Sequence, residues 1–253
     1  MPDESYENWL PAPALPVLRE GDAHVWRAIL SDDAEEVRRL WKQLSADERE
    51  RAERFRFEKD RARFVAARGR LREVLARYLD VVPSALVFRY SARGKPFLAE
   101  PESDIAFNLA HSRELAVYAF ARGCEIGVDV EAIDEHFACL DVAPKVFTAE
   151  ELKALRVLSG RDQTAFFFVL WTCKEALLKA SGDGFFTDPT NICVTFCNGN
   201  LRMPVLTSVP EGAPGWSLRN FDAGDSYAAA LATRPWIQRV QFFETALFPT
   251  EKT

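Results

Sequence analysis

Two acidic residues share one face of a strand-like segment near the middle of the chain. In EIGVDVEAI (125–133), aliphatic residues alternate with Gly127, Asp129 and Glu131. This period-two alternation predicts a strand that places Asp129 and Glu131 on one face, roughly 6.6–6.8 Å apart. Two such carboxylates repel each other unless a cation lies between them, and a hard ion such as Mg²⁺, which also grips substrate phosphates, suits the arrangement. The alternative is the solvated outer face of an edge strand.

A third acid lies in the helical segment FFFVLWTCKEALLKASG (166–182). Trp171, Glu175 and Lys179 are spaced i, i+4 and i+8, so they lie on neighbouring turns of one helix face. The segment could instead carry an ordinary surface Glu–Lys pair worth a few tenths of a kcal/mol. The tryptophan on the same face argues against full exposure.

The first part of the chain is basic where the second is acidic. Ten arginines crowd residues 49–77, and six acids between Glu48 and Glu73 partly offset them. Part of this pattern is therefore surface charge pairing. The arginines are Arg49, Arg51, Arg54, Arg56, Arg61, Arg63, Arg68, Arg70, Arg72 and Arg77.

Further polar residues follow in the same part of the chain. Lys95 stands in the turn Gly-Lys-Pro (94–96), and Asn108, His111 and Ser112 precede the strand-like AVYAFA (116–121). A lone histidine such as His111 is more often structural than a ligand. Cations facing three carboxylates would nevertheless describe a site for a metal-bridged polyphosphate.

A weak internal repeat indicates which elements must position these residues. The matched segments are 21–30 with 124–133, 45–48 with 148–151 and 64–79 with 167–182 at a shift of 103, and 115–122 with 227–234 at a shift of 112. Under the first shift, Glu175 falls on Arg72 and Lys179 on Ala76. Since duplicated units keep their packing residues, positions at which the copies differ chemically are candidates for function.

Each copy predicts the same succession of elements. A strand is followed by a helix with a capping box, Ser45 with Glu48 and Thr148 with Glu151, and then by a longer helix. The predicted long helices span 61–79 and 163–181, and the predicted closing strands are 86–90, 116–121, 192–196 and 227–232, with turns at 93–96 and 198–200. We therefore expect an α+β fold of two similar α/β halves about a pseudo-twofold axis, with the ligand site in the cleft between them. The predicted divisions are a tail (1–20), a first half (21–123) and a second half (124–253).

Composition narrows the class of protein. The chain has 253 residues, 48% of them hydrophobic, and a net charge of −6, which argues against general nucleic-acid binding. It has no apolar run of 18 residues, and residues 1–20 do not resemble a secretory signal. Five scattered cysteines (Cys124, Cys139, Cys173, Cys193 and Cys197) indicate reduced thiols in a cytoplasmic protein. The apolar segment 236–253 is expected to pack back on the body.

Several motifs together resemble one enzyme family. FNLAHS (107–112), GVDVE (127–131), FTAEE (147–151) and WTCKEALLKASG (171–182) occur in the order seen in 4'-phosphopantetheinyl transferases of the surfactin-synthetase type. GKPF (94–97) and RFRFEKDRARFVAARGRLR (54–72) are also similar to that family. The resemblance covers residues 45–200 and implies a monomer of two halves that transfers phosphopantetheine from coenzyme A to a serine of an apo acyl or peptidyl carrier protein.

The resemblance also implies roles for individual residues. Asp129, Glu131 and Glu175 would coordinate Mg²⁺, with Mn²⁺ as an alternative ion, and Lys179 would approach the transferred phosphate. His111 would hold the 3'-phosphate of coenzyme A, and Lys95 and Arg51 would contact its phosphate and adenine end. Glu151 and Glu175 are competing candidates for the general base, although Glu151 also fits the capping box.

One position departs from the family pattern. Ala110 stands where serine is often found in the coenzyme A site, so one hydroxyl contact to phosphate is missing; a backbone amide could replace it. Two other interpretations remain: a carrier-binding module without catalysis, which would have lost its acids, and another Mg²⁺-dependent nucleotide phosphotransferase. The second would normally show a glycine-rich phosphate loop, and the sequence contains none. No nucleic-acid or membrane partner is expected.

Overall fold

The structure, a computed structural model, describes residues 8–182, 188–196, 204–208 and 215–245. The strands are β1 (Trp9–Pro11), β2 (Asp22–Ile29), β3 (Val87–Tyr90), β4 (Pro96–Glu100), β5 (Ile105–Ser112), β6 (Leu115–Arg122), β7 (Gly127–Ala132), β8 (Cys193–Phe196), β9 (Pro204–Ser208), β10 (Ser217–Asn220), β11 (Tyr227–Thr233) and β12 (Arg239–Glu244). The helices are α1 (Ala34–Trp41), α2 (Ala46–Glu53), α3 (Glu58–Leu79), α4 (Cys139–Val142), α5 (Ala149–Arg156) and α6 (Gly160–Ser181), with short 3-10 helices at Pro83–Ala85, Ala143–Lys145 and Pro189–Asn191. The predicted α+β class is confirmed.

Two sheets form the centre of the protein. The larger has the strand order β1-β12-β2-β6-β5 and the smaller β10-β11-β7, and two-stranded hairpins β3-β4 and β8-β9 stand beside them. Within the larger sheet β2 pairs antiparallel with β6 and β6 with β5; within the smaller, β7 pairs antiparallel with β11 and β11 with β10. The two sheets thus contain the same three-strand arrangement.

Alternating side chains of the strands build three apolar layers. One face of the larger sheet, with Trp26, Tyr118 and Phe120, packs against α3. One face of the smaller sheet packs against α6. The remaining faces of both sheets share a cluster that includes Val117 and Val128. Each fully buried side chain of this size contributes roughly 1.5–3 kcal/mol, so the layering fixes the sheets and helices relative to one another.

Both predicted capping boxes are present, and each is tied to a long helix by a buried ion pair. Glu48 accepts from the backbone amide of Ser45, and Glu151 accepts from that of Thr148. Glu48 also pairs with Arg72 at 2.7 Å and Glu151 with Lys174 at 2.6 Å. Arg72 also donates to the carbonyl oxygen of Pro83, and Lys174 donates to that of Pro189. Each of these prolines is the first residue of a 3-10 helix.

This repeated device corrects the predicted alignment of the long helices. Because α3 begins at residue 58 and α6 at 160, the two helices are offset by 102 residues and not 103. Lys174 therefore corresponds to Arg72, and Glu175 corresponds to Glu73 and not to Arg72. The prediction that Glu175 stands where the first copy has a basic residue is wrong, since both copies carry a glutamate at this position.

Both parts of the chain contain, in the same order, a strand, a capped eight-residue helix, a 22-residue helix, a 3-10 helix, a hairpin and two strands. Between the strand and that capped helix, the first part also has α1, and the second has α4 and a 3-10 helix. The pseudo-twofold axis and the division at residue 124 stay predictions. β12 pairs in parallel with both β1 and β2 and so lies within the larger sheet.

The remaining expectations concern the chain end, the cysteines and the membrane. Phe242 and Phe243 are buried, as expected for a segment that packs back, whereas Phe248, Cys197 and the turn at 198–200 lie outside the described residues. Cys124, Cys139 and Cys173 are buried free thiols. Among the described helices, none is both long and apolar enough to cross a bilayer.

Candidate active site

A glycine brings the acidic strand β7 into direct contact with α6. A Cβ atom on Gly127 would lie 2.0 Å from the Ala176 carbonyl oxygen and 2.5 Å from the Ala180 amide nitrogen. Real Cβ contacts are never so short, so only glycine allows this approach. The face of β7 that carries Gly127 also carries Asp129 and Glu131, because alternate residues share a face. Both acids therefore lie on the side of the sheet covered by α6.

Asp129 is the central buried charge of this region. The residue is 2% exposed, and its Oδ1 accepts a hydrogen bond from Lys179 Nζ at 2.6 Å. Its Oδ2 is buried without a hydrogen-bond partner. Burial raises the pKa of Asp129 to about 7 against the opposing effect of Lys179, and the charges of Glu131 and Glu175 raise it further. A carboxylate in these surroundings needs additional positive charge to ionise fully.

Glu131 is held from the neighbouring strand β5. Ser112 Oγ donates to Glu131 Oε2 at 2.8 Å and accepts from the Ala132 amide at 3.1 Å. Further along β5, Asn108 Oδ1 accepts from the Val128 amide at 2.9 Å. Side chains of β5 thus satisfy backbone donors along the edge of β7 and join the two sheets beside the acids.

Glu175 on α6 completes the acidic group. Its side chain is half-buried, and burial raises its pKa, while Lys179 opposes this effect and Glu131 adds to it. The three predicted acids are therefore close enough to repel one another. Lys179, one turn along α6, is the cation among them.

The chemistry of these donors fits a hard divalent cation, although the described residues do not form a finished cage. As they stand, no group of three or more Asp, Glu, His or Cys side chains among the described residues is arranged to hold a metal ion. Mg²⁺, however, is usually bound through one or two carboxylates together with waters and substrate phosphates. The unpartnered Oδ2 of Asp129 and the mutual repulsion of the acids are the features that a cation would relieve.

His111 lies on β5 close to a group of cations. The His111 side chain is exposed, but the surrounding protein atoms partly desolvate the imidazole, and this desolvation lowers the pKa of His111. The positive charges of Lys179, Arg63 and Arg68 lower it further. These neighbours keep the imidazole neutral until an anion arrives. The structure thus brings His111 of β5 close to Lys179 of α6.

Lys95 makes backbone contacts in this structure. Its Nζ donates to the carbonyl oxygens of Lys179 at 2.6 Å, Ala180 at 3.3 Å and Ile126 at 3.3 Å. An ammonium at the C-terminal end of a helix is favourable because the last carbonyls lack helical partners. A contact to coenzyme A stays a prediction for Lys95 and would require its ammonium to leave some of these carbonyls.

The other two predicted coenzyme A contacts differ in their surroundings. Arg51 is exposed on α2, with its guanidinium 5.6 Å from the ring centroid of Phe64. Ala110 is 5% exposed and packs in the cluster between the sheets. Roles for both in binding stay predictions.

Glu151 has structural partners for both of its oxygens. Oε2 accepts from the Thr148 amide and pairs with Lys174, and Oε1 accepts from the Val194 amide at 2.8 Å. Its role as general base stays a prediction, but a base at this position would have to break a cap and a buried ion pair.

Sequence reasoning overlooked two functions in this region. It noted Ser112 without a role, although Ser112 fixes Glu131. It also treated Lys174 only as part of a motif, whereas Lys174 is fully buried against Glu151. The repeated capping box was the available signal for Lys174, because the buried glutamate of each box needs a cationic side chain as its partner.

Most of the chain is similar to proteins of one enzyme family. The family model of the 4'-phosphopantetheinyl transferase superfamily matches residues 125–232, and that of the 4'-phosphopantetheinyl transferase N-terminal region matches 28–122. The 4'-phosphopantetheinyl transferase HetI of Nostoc is 37% identical over 228 residues, covering 89% of this chain and 93% of HetI. A 4'-phosphopantetheinyl transferase of Bacillus subtilis is 28% identical over 199 residues, covering 78% and 85%. A solved holo-(acyl-carrier-protein) synthase from Bacillus anthracis, in complex with CoA (3',5'-ADP), is 21% identical with a TM-score of 0.36, covering 43% of this chain and 92% of that one.

The similarity to HetI extends over nearly the whole of both chains, and the chain belongs to the 4'-phosphopantetheinyl transferase family. It is an enzyme that transfers a 4'-phosphopantetheine group.

Proposed function

We propose that this transferase moves 4'-phosphopantetheine from coenzyme A to a serine hydroxyl of an apo carrier protein at the site between β7, α6 and β5, with the help of a divalent cation. Transfer from coenzyme A to a carrier protein is the activity of the family to which the chain belongs. The observation that carries the proposed site is Asp129: a buried carboxylate, one oxygen on Lys179 and the other unpartnered, beside two further acids.

The acids would hold the ion together with the donor. Asp129, Glu131 and Glu175 are the proposed ligands of Mg²⁺, with Mn²⁺ as an alternative. When bound, the ion supplies positive charge against the pyrophosphate oxygens as the bond to the leaving nucleotide breaks. Ser112 keeps Glu131 oriented toward this place through its 2.8 Å hydrogen bond.

Cations of the chain would orient the donor phosphates. Lys179, now on Asp129, is the proposed partner of the phosphate that is transferred, because its flexible ammonium can be shared between a carboxylate and a phosphate. His111, Arg51 and Lys95 are the proposed contacts to the nucleotide end. Lys95 also fixes the end of α6 from which Lys179 projects.

The proton of the carrier serine would pass to Glu175. As that proton leaves, the serine oxygen bonds to the β-phosphorus and the phosphorus–oxygen bond to 3',5'-ADP breaks. The raised pKa of Glu175 suits a base, since efficient proton transfer needs a pKa nearer to the working pH. Glu151 is the less favourable candidate because its oxygens are engaged in the fold.

Other features of the proposal follow from the chain itself. A monomer suffices, because residues of both parts of one chain meet at the site, as in the Ser112–Glu131 and Lys95–Lys179 contacts. The two parts would be related by a pseudo-twofold axis, in keeping with their common element order. Buried free thiols such as Cys173 fit a reducing, cytoplasmic location. We propose an acidic helix of the carrier protein as the docking partner, and no nucleic-acid or membrane partner.

The test is intact-mass measurement of several apo carrier proteins after incubation with the enzyme, coenzyme A and Mg²⁺. The expected result is a mass gain of one phosphopantetheine per carrier. This gain should not occur when EDTA is present, and it should return when Mg²⁺ is added in excess. A heat-inactivated sample serves as the control. Absence of any mass gain on every carrier would contradict the proposed transfer, and full transfer in EDTA would contradict the metal.

A further inference from the structure

One edge of the acidic strand β7 has backbone amides that its own sheet does not satisfy. Within the described residues β7 is the outer strand of the smaller sheet, and β11 is its neighbour. The Ile133 amide donates to the Ser226 carbonyl at 2.8 Å, and bonds to one antiparallel neighbour recur at every second residue. The amides of Val128, Val130 and Ala132 therefore point away from β11. All three residues are buried, so each amide needs a partner from elsewhere.

Two side chains of β5 supply such partners from the larger sheet. Asn108 Oδ1 accepts from the Val128 amide at 2.9 Å, and Ser112 Oγ accepts from the Ala132 amide at 3.1 Å. Each bond joins residues 20 apart in the sequence, so β5 and β7 lie side by side in one direction. Ala110 stands at the place between them, and its methyl group can accept no hydrogen bond. We call the two contacts the Asn108 bridge and the Ser112 bridge.

The two bridges flank the acids of the candidate site. Asp129 directly follows Val128, and Glu131 directly precedes Ala132, so the backbone that carries both carboxylates is held at each end. β5 is itself fixed, because all of its residues are paired with β6 in the larger sheet. The same strand carries His111. The bridges therefore set the place of the two acids relative to the part of the site that β5 belongs to.

We propose that Asn108 is a positioning residue for the divalent cation: its bridge to the Val128 amide fixes Asp129, as the Ser112 bridge fixes Glu131, at the spacing that the ion requires. This inference rests on the proposed function. The amide oxygen of Asn108 is already bonded to the backbone of β7, and the residue is 6% exposed, so it acts through the strand and not as a ligand. Groups that hold metal ligands in place commonly change metal affinity about 10- to 100-fold when they are removed.

Loss of the Asn108 bridge should affect the cation and the donor differently. Without Asn108 Oδ1 the buried Val128 amide has lost its acceptor, which is costly, so β7 shifts until that amide finds another one. The shift moves Asp129 relative to β5. It does not move His111, because β5 stays paired with β6. The affinity for the cation should therefore fall, whereas the affinity for coenzyme A in the absence of metal should not change.

The affinity for Mn²⁺ is measured by electron paramagnetic resonance with saturating coenzyme A, for wild type, Asn108→Leu, Asn108→Ala and the control Ser103→Ala. Ser103 Oγ accepts from the Ile105 amide at 3.2 Å just before β5, so the control loses the same kind of hydrogen bond without touching β7. Both Asn108 variants should bind Mn²⁺ about 10- to 100-fold more weakly, and the control should match wild type.

Two further measurements separate positioning from a general loss of structure. The Mg²⁺ concentration that gives half-maximal transfer should rise in the Asn108 variants by the same factor as the Mn²⁺ dissociation constant. Coenzyme A affinity in EDTA, measured by calorimetry, should equal that of wild type in every variant. A variant that is merely less stable would change neither quantity per folded molecule, and thermal unfolding shows how much of each sample is folded.

Wild-type Mn²⁺ affinity in a folded Asn108 variant would overturn the inference, and so would weaker binding of coenzyme A in EDTA, which would place the effect on the donor. Failure of both Asn108 variants to fold would overturn it as well, since Asn108 would then serve the fold. Transfer by the wild-type enzyme is measured first. If the wild type transfers and the Asn108 variants bind Mn²⁺ as it does, this inference alone fails; if the wild type transfers nothing to any carrier, the proposed function fails.

Discussion

Asp129 Oδ1 and Lys179 Nζ lie 2.6 Å apart, joining the acidic strand β7 to the last turn of α6. The pair is uneven: the carboxylate is buried, while the ammonium side chain is 31% exposed and can move. Lys179 thus lowers the cost of the buried charge before the donor binds. It leaves Asp129 Oδ2 without a partner, so the site is only partly neutralised.

Asp129→Asn should abolish transfer without unfolding the protein. Loss of one charge-stabilising group costs about 10²–10³-fold in rate in other enzymes, and a similar or larger loss is expected here. The pKa of Asp129 is raised to about 7, so the folded state favours its protonated form. The ionised form therefore costs stability: the cost is absent below the unfolded pKa of about 3.8, grows as pH rises and is complete above about 7.

In metal-free buffer, the stability of the asparagine variant relative to wild type should accordingly increase between pH 5 and pH 8, by thermal unfolding. Glu102→Gln, in an exposed segment between β4 and β5, is the control for loss of a carboxylate. Near-normal metal-dependent transfer by Asp129→Asn would refute the assignment.

Lys174 and Glu175 are adjacent but should have opposite effects. Lys174→Met leaves Glu151 buried without its cation, which costs about 3–5 kcal/mol of unfolding free energy. Glu175→Gln, on a half-buried face, should change the free energy of unfolding little but should strongly reduce the rate of transfer. Urea unfolding and single-turnover transfer on the same samples give both quantities. A stable Lys174→Met, or an unfolded Glu175→Gln, would show that the two roles are wrongly divided.

Gly127→Ala should separate β7 from α6. Its Cβ would meet backbone atoms at 2.0 and 2.5 Å, so a strand or helix must shift, at a cost of at least about 1–3 kcal/mol. Because the shift moves Asp129 relative to Lys179, the transfer rate per folded molecule should also fall. Gly123→Ala is the comparison: it meets no atom within 4 Å and is strained only by its positive φ. Equal stabilities for the two variants would contradict this packing argument.

His24 should make the fold sensitive to acid. Its Nδ1 lies 2.7 Å from the Tyr78 hydroxyl, which accepts from Trp26 Nε1 and can donate to a neutral imidazole. Burial lowers the pKa of His24 to about 4, so the folded state favours the neutral ring. This stability is fully present above the unfolded pKa of about 6.5 and is lost as pH falls toward 4, by roughly 3 kcal/mol in total.

The measurement is urea unfolding at pH 7 and pH 4.5 for wild type and His24→Gln. The glutamine variant should lose less stability between these pH values than wild type does, because it cannot gain the proton. His136→Gln, at an exposed position, should behave as wild type. An identical pH dependence for His24→Gln and wild type would exclude His24 as the acid-sensitive group.

Most of the fold could be predicted from sequence patterns among neighbouring residues. The capping boxes, the two long helices and the alternation that places Asp129 beside Glu131 are set by residues near one another in sequence, and each could be predicted. The contacts of Lys95 could not be predicted, because its ammonium reaches the carbonyl of Lys179, 84 residues away, only after the hairpin β3-β4 has docked. The 102-residue offset of the long helices was also hidden, because Arg72 and Lys174 correspond through their buried partners and not through sequence identity.

The central claim is that Asp129, Glu131 and Glu175 hold one ion together with coenzyme A. It is tested most directly by electron paramagnetic resonance of Mn²⁺ titrated into the enzyme with and without coenzyme A. One tightly bound Mn²⁺ per chain is expected when coenzyme A is present, with binding lost in Asp129→Ala and weakened in Glu131→Gln. Undiminished Mn²⁺ binding in Asp129→Ala, or no binding by the wild-type enzyme with coenzyme A, would contradict the account.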